Sequence, residues 1–144
     1  MKIKQISVSI ENCHKRLYEI THALGNEGVN LRALNLVDTG DFGLLRLLVS
    51  NVSTARRILM KMQMPARIDD VIAVEIEDKP HSFATILKHL LDANVKVMYT
   101  YAMTEFSPST AVMIFRFSDN DKAVKVLQKN NIKLLSAKSF DIVQ

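Results

Sequence analysis

The chain has 144 residues, 48% of them hydrophobic and 24% charged, with a formal net charge of +4. This is the composition of a soluble globular protein, with no run of about 18 apolar residues to span a membrane. A single cysteine, Cys13, excludes an internal disulfide framework.

The N-terminus, MKIKQISVSI, alternates apolar and polar residues and lacks the continuous apolar stretch of a signal peptide. A cytoplasmic location is the expectation. The excess positive charge is evenly spread, with ten Lys and Arg before Val71 and nine from there on. Interleaving with acids makes solvated helix faces the simpler reading than a nucleic-acid surface.

Taken in order, Ile6, Val8 and Ile10 alternate along a first strand. A polar loop, Asn12-Cys13-His14-Lys15, leads into an amphipathic helix with Leu17, Ile20 and Leu24 on one side. Gly25-Asn26-Glu27-Gly28 ends it. A strand over Val29–Val37 and another over Phe42–Val49 flank the turn Asp38-Thr39-Gly40-Asp41, favouring a hairpin. A second helix over Ser53–Met62 and a weaker strand near Met64–Ile68 complete the unit.

The same order then recurs. Ile72, Val74 and Ile76 repeat the first strand at a spacing of 66 residues, and Leu17/Phe83 and Leu24/Leu90 keep that spacing. The loop is Asp78-Lys79-Pro80-His81, and the helix stripe is Phe83, Ile86, Leu87 and Leu90. Pro80 suits a first helical turn. Asn12 and Asp78 sit where a side-chain oxygen can cap a helix. Strands over Val95–Met103 and Thr110–Phe117 follow, in a hairpin about two residues longer than the first. A helix over Asp121–Lys129 and a strand near Ile132–Ala137 close the chain.

Each half therefore reads β-α-β-β-α-β, an α+β, ferredoxin-like unit with an antiparallel sheet and two helices on one face. The boundary falls between residues 70 and 71, giving domains 1–70 and 71–144. No linker separates them, so the halves are expected to pack together. The third strands carry apolar residues on both faces (Leu44, Leu45, Leu47, Leu48; Val112, Met113, Ile114, Phe115), which predicts a covering partner, most simply a second copy.

Such units serve many functions, so the argument has to come from the site. RNA binding would need exposed aromatics on the central strands, and LLRLLV has none. Metal binding would require Cys13, His14 and His81 to converge without a compact ligand spacing. His22 and His89 read as ordinary helix residues. No nucleophile–base pair, paired carboxylates or phosphate-cradling glycine loop can be assembled, so no enzyme is expected. A small zwitterion fits best. Its carboxylate would sit on unpaired N–H groups at a first helix, aided by Lys15 or Arg16. Its ammonium would find acceptors at Asn12, Asp78 or second-strand carbonyls. Simple helix capping would also explain Asn12 and Asp78.

The tandem strand–loop–helix units and the segment GVNLRALNLVDTGDFGLLRLLVSN resemble ACT domains, and the whole chain is similar to small proteins made of two such domains. The resemblance implies paired sheets joined side by side and an amino acid bound at a domain interface. It places that ligand between the first strand–helix loop and a neighbouring second strand, with no cofactor and no metal. Carried over by position, the loops are Asn12, Cys13, His14, Lys15, Arg16 and Leu17, and Asp78, Pro80, His81, Ser82 and Phe83. The facing strands contribute Asn30, Leu31 and Leu34, and Met98 and Tyr99. The implied role is allosteric, in a homodimer or on a partner enzyme or regulator, with neither nucleic acid nor membrane as partner. A ligand-free interaction module is the contrasting reading, and a metal-responsive regulator is a third. The family's loop often carries Pro-Gly. Here the glycine position holds Lys15 in one repeat and His81 in the other.

Overall fold

The computed structural model describes residues 1–11 and 13–144, apart from the side chains of residues 13 and 104–106. Seven strands and four helices follow one another as β1 (Lys2–Ile10), α1 (Cys13–Asn26), β2 (Leu31–Asp38), β3 (Gly43–Val49), α2 (Val52–Lys61), β4 (Arg67–Glu77), α3 (Ser82–Asp92), β5 (Val97–Ser107), β6 (Thr110–Phe117), α4 (Asn120–Lys129) and β7 (Lys133–Leu135). A short 3-10 helix over Ala137–Phe140 precedes the C-terminus.

The chain forms two compact units. The N-terminal unit comprises residues 4–69 and 137–144; the C-terminal unit comprises residues 70–136 and 1–3. The ends of the chain are thus exchanged relative to the repeat. In the N-terminal unit β1 and β2 pair antiparallel on either side of β3, with Ile6 opposite Leu47. Val143 bridges to Asn51, and Val52 N–H donates to the Val143 carbonyl at 3.0 Å. In the C-terminal unit the strand order is β7-β4-β6-β5, all antiparallel. Lys2 joins this unit through a 2.9 Å ion pair with Asp121. Its hydrogen bond to that carboxylate raises the Lys2 pKa and lowers that of Asp121. The pair's contribution fades as acid protonates Asp121 and as alkali deprotonates Lys2, and its place on the surface keeps it small.

Periodicity places the core where the repeat requires it. Ile72, Val74, Ile86, Leu90, Phe115, Phe117, Ala123 and Leu127 form one buried cluster. Their counterparts Ile6, Val8, Ile20, Leu24, Leu47, Val49, Ala55 and Leu59 are buried in the other unit. On the second faces of the third strands, Leu48, Val112 and Ile114 are fully buried and Leu44 is half-buried.

Element ends differ from the sequence reading for one recurring reason. All four helices close with a left-handed residue (Gly28, Gln63, Asn94, Asn131). After each, the next N–H donates back into the helix: Val29 to Leu24, Met64 to Leu59, Val95 to Leu90 and Ile132 to Leu127. These donors are spent on capping, so β2, β5 and β7 begin later than hydrophobic alternation suggests. The strand expected near Met64–Ile68 is the largest correction: it starts at Arg67 and runs unbroken into the next repeat as β4. Asp69 and Asp70 stand between Ile68 and Val71 within the strand and do not interrupt it.

Candidate functional site

The two strand–helix loops, alike in sequence, fold differently. In the second repeat, Lys79-Pro80-His81-Ser82 makes a turn with Pro80 at its second position and His81 at φ 71° and ψ −10°. Ser82 N–H closes it by donating to the Lys79 carbonyl at 3.4 Å. This is a type II turn, whose third position needs a positive φ and so favours glycine. Pro80 therefore sits in the turn and not, as expected, in the first helical turn, and α3 begins at Ser82.

In the first repeat α1 begins at Cys13, one turn earlier in the repeat than α3 does, so Lys15 is helical. His81 holds the left-handed position with a Cβ, at a local energetic cost. His81→Gly is expected to raise stability by about 0.5–1 kcal/mol, the relief of left-handed strain less glycine's extra chain entropy. Urea denaturation midpoints check this; a loss of stability would mean that imidazole contacts outweigh the strain.

The turn leaves the start of α3 open. At α2 the Asn51 Oδ1 accepts from Thr54 N–H at 3.0 Å, and at α4 the Asp119 Oδ1 accepts from Lys122 N–H at 3.0 Å. At α3 the N-cap residue His81 makes no side-chain cap hydrogen bond. Asp78, expected as a cap, is exposed, and its backbone N–H donates to the Ser109 carbonyl at 3.1 Å.

Beside this helix start lies a cleft of about 480 Å³ within the C-terminal unit. Pro80, His81, Ser82 and Thr85 line one side, and Asn131, Ile132 and Lys133 another. Glu75, Ile76, Glu77 and Thr110 line it from the sheet. Glu77 pairs with Lys79 at 2.6 Å, and Glu75 Oε2 lies 3.3 Å from Lys133 Nζ. That Glu75 oxygen is nevertheless buried without an aligned hydrogen-bond donor, as is the Thr110 hydroxyl. The cleft thus combines a helix start without a side-chain cap with acidic and hydroxyl side chains on its walls.

The remaining anticipated residues lie elsewhere. Phe83 turns into the core and stacks on Phe115 with centroids 5.8 Å apart. Met98 and Tyr99 line a separate depression of about 270 Å³ with Arg116. The Asn30 carbonyl accepts from Ser50 N–H and the Asn30 N–H donates to Ser50 Oγ, and Leu31 and Leu34 are exposed on β2. His14, Lys15 and Arg16 are exposed on the first turn of α1, Leu17 is half-buried, and Glu19 holds Arg16 at 3.0 Å. Asn12 and the Cys13 side chain lie outside the described residues.

Glu75, Thr85, Thr110 and Lys133 were not anticipated. Their repeat counterparts, Ser9, Glu19, Phe42 and Pro65, share no pattern with them, so the repeat carried no signal for these positions. Among the described residues, no group of three or more His, Cys, Asp or Glu is placed to hold a metal ion. No described helix is long and apolar enough to cross a membrane.

A crystal structure of a Bacteroides thetaiotaomicron protein superposes with a TM-score of 0.92 at 31% identity, covering 99% of this chain and 98% of that one. The ligand-free regulatory subunit of aspartate kinase from Thermus thermophilus gives a TM-score of 0.62 at 12% identity, covering 88% and 90%. Its counterpart from Thermus flavus gives 0.61 at 12% identity with the same coverage. At that identity the likeness is one of fold alone. No curated protein matches the chain. The family model for an ACT domain pair matches residues 1–143, in keeping with the repeated order of strands and helices, and the chain belongs to that family.

Proposed function

We propose that this is a non-enzymatic regulatory protein that binds a free amino acid in the cleft beside α3 and passes the binding event to a partner. The observation that carries the reading is the uncapped start of α3, opening beside a cleft lined by the acceptor residues Glu75 and Thr110. A carboxylate suits the helix start, where partial positive charge and free N–H groups coincide. An ammonium suits Glu75 and Thr110, which accept hydrogen bonds. The family match is to a domain pair and not to a catalytic domain, which supports regulation over catalysis. The fold shared with aspartate kinase regulatory subunits supports it further.

Helix α3 offers a route for transmission. Ser82, Thr85 and Ile86 face the cleft, whereas Ala84, Leu87 and Leu91 line an apolar groove that also includes Val95 and Val97. Leu91 is 72% exposed there, an apolar surface suited to a second copy or to a partner enzyme or regulator. A ligand that holds the start of α3 differently in two states shifts the population of whatever its far flank contacts.

Thermal unfolding of the protein with each of the twenty amino acids in turn tests the site. A true ligand at one hundred times its Kd is expected to add about 2.7 kcal/mol of stability. If no amino acid shifts the midpoint, the reading fails and an interaction module without a ligand takes its place.

A further inference from the structure

Two surfaces of the N-terminal unit carry unmatched charge of opposite sign. Helix α2 is exposed at Ser53, Arg56, Arg57, Met60 and Lys61, and has no acid along its length. Arg57 reaches Glu27 at 4.0 Å, and among the described residues Arg56 and Lys61 have no ion-pair partner. The cations of α1 and α3 differ, since Lys15 and Arg16 find Glu19 and Lys88 finds Asp92 within their own helices. Arg57 and Lys61 stand four residues apart, where like charges repel. Met60 lies among these cations and is 72% exposed.

The β2–β3 turn is the counterpart in sign. Asp38 and Asp41 are exposed on it, and the pairing of Ile10 with Gly43 brings the exposed Glu11 to the same end of the sheet. The turn is firmly held. Thr39 donates its N–H and its hydroxyl to the Phe42 carbonyl at 2.9 and 2.8 Å, and Gly40 N–H donates to Asp38 Oδ1 at 2.9 Å. Phe42, 47% exposed, gives the turn an apolar centre. In the second repeat the turn is Ser107-Pro108-Ser109 and Gln128 stands in the place of Met60, so the two surfaces occur together in the N-terminal unit alone.

We propose that these surfaces meet between two copies of this chain, the acidic turn of one seated on α2 of the other. Glu11, Asp38 and Asp41 then face Arg56, Arg57 and Lys61, and Phe42 lies on Met60, a favourable sulfur–aromatic contact. A turn that is already ordered loses little freedom on docking. Each copy carries both surfaces, so a copy can give one contact and take another. Neither the cleft nor the groove beside α3 takes part, so the contact stands apart from the ligand reading. A turn on one helix face covers less than the roughly 1,000 Å² of a stable interface, so the association is weak and sensitive to salt.

Sedimentation of the full chain over a range of concentrations is the test. The average mass is expected to rise with concentration and to return to that of the monomer in about 1 M salt, where screening acts within about 3 Å. Glu11→Lys with Asp41→Lys reverses the turn while keeping Asp38, which holds Gly40. Arg56→Glu with Lys61→Glu reverses the helix face. Each pair of changes is expected to weaken self-association at least about tenfold, since it sets like charges against each other. An equimolar mixture of the two variants is expected to recover association, because each reversed surface then meets its opposite. Wild-type chain that stays monomeric up to about 1 mM, a concentration at which even a weak contact forms, would overturn the proposal. So would association that persists in both variants, since it would run through another surface. A mixture that recovers nothing, with both variants folded by circular dichroism, would overturn it as well.

Discussion

Phe115→Ala is expected to destabilise the protein by about 3–5 kcal/mol, the usual range for removing a large buried aromatic side chain. The ring has no exposed surface. It stacks on Phe117 with centroids 5.1 Å apart and on Phe83 at 5.8 Å, so truncation removes two aromatic contacts and opens a cavity. Phe83 follows the turn at the start of α3, so the same cavity would loosen the helix that frames the cleft. Urea titration by circular dichroism measures the loss. Against a typical total of about 5–15 kcal/mol the change is large. A loss below about 1 kcal/mol would show that the stack is not part of a rigid core. Phe115→Leu, which places the residue type of its counterpart Leu47, is expected to cost less.

Asp69→Ala is the second large effect, expected to cost about 2–4 kcal/mol. The Asp69 side chain is only 5% exposed, yet it is an acid on the sheet of the N-terminal unit. Burial is tolerated because the carboxylate is engaged on both oxygens. Arg67 Nε donates to Oδ1 at 3.0 Å, while Ser7 Oγ at 2.9 Å and Arg67 Nη2 at 3.3 Å donate to Oδ2. Gln5 Nε2 donates in turn to Ser7 Oγ at 3.1 Å. Removing the acid releases Arg67, which is already largely exposed, but strands the Ser7 hydroxyl in a buried place. The cost is therefore that of a lost charged hydrogen bond and an orphaned donor, less than that of an unpaired buried charge. In a double-mutant cycle the Ser7→Ala and Asp69→Ala effects should fall short of additive by more than 0.5 kcal/mol. Strict additivity would show that the two side chains act independently.

The βαββαβ order and its doubling were legible because hydrophobic period and turn residues agree at nearly every element. Ile6, Val8 and Ile10 and their echoes 66 positions later are buried as alternation requires, apart from a half-buried Ile76. What alternation could not show was which backbone donors the helices would claim for their own ends. Val29, Met64, Val95 and Ile132 look like strand residues by composition, yet their N–H groups cap helices. Nor could it show that β4 would run through the repeat boundary, since Asp69 and Asp70 look like loop residues until Asp69 is seen paired in the interior.

The candidate site was half legible. Pro80, His81 and Ser82 lie in the cleft because their loop forms the turn that frames it. Glu75 and Thr110 come from β4 and β6, brought together by a register in which Glu75 faces Val112 and Glu77 faces Thr110. No local pattern announces a cross-strand neighbour. Likewise, the equivalence of the two loops by sequence concealed that Lys15 folds into a helix and His81 into a left-handed turn.

The central claim is that the cleft at the start of α3 holds an amino acid. Amide chemical-shift mapping during titration with the amino acid that stabilises the protein most is the direct measurement. The account expects the largest shifts at Lys79, His81–Thr85, Thr110 and Asn131–Lys133. Shifts concentrated at Lys15–Glu19, at Met98–Tyr99 or nowhere along the β4–α3 turn would contradict it.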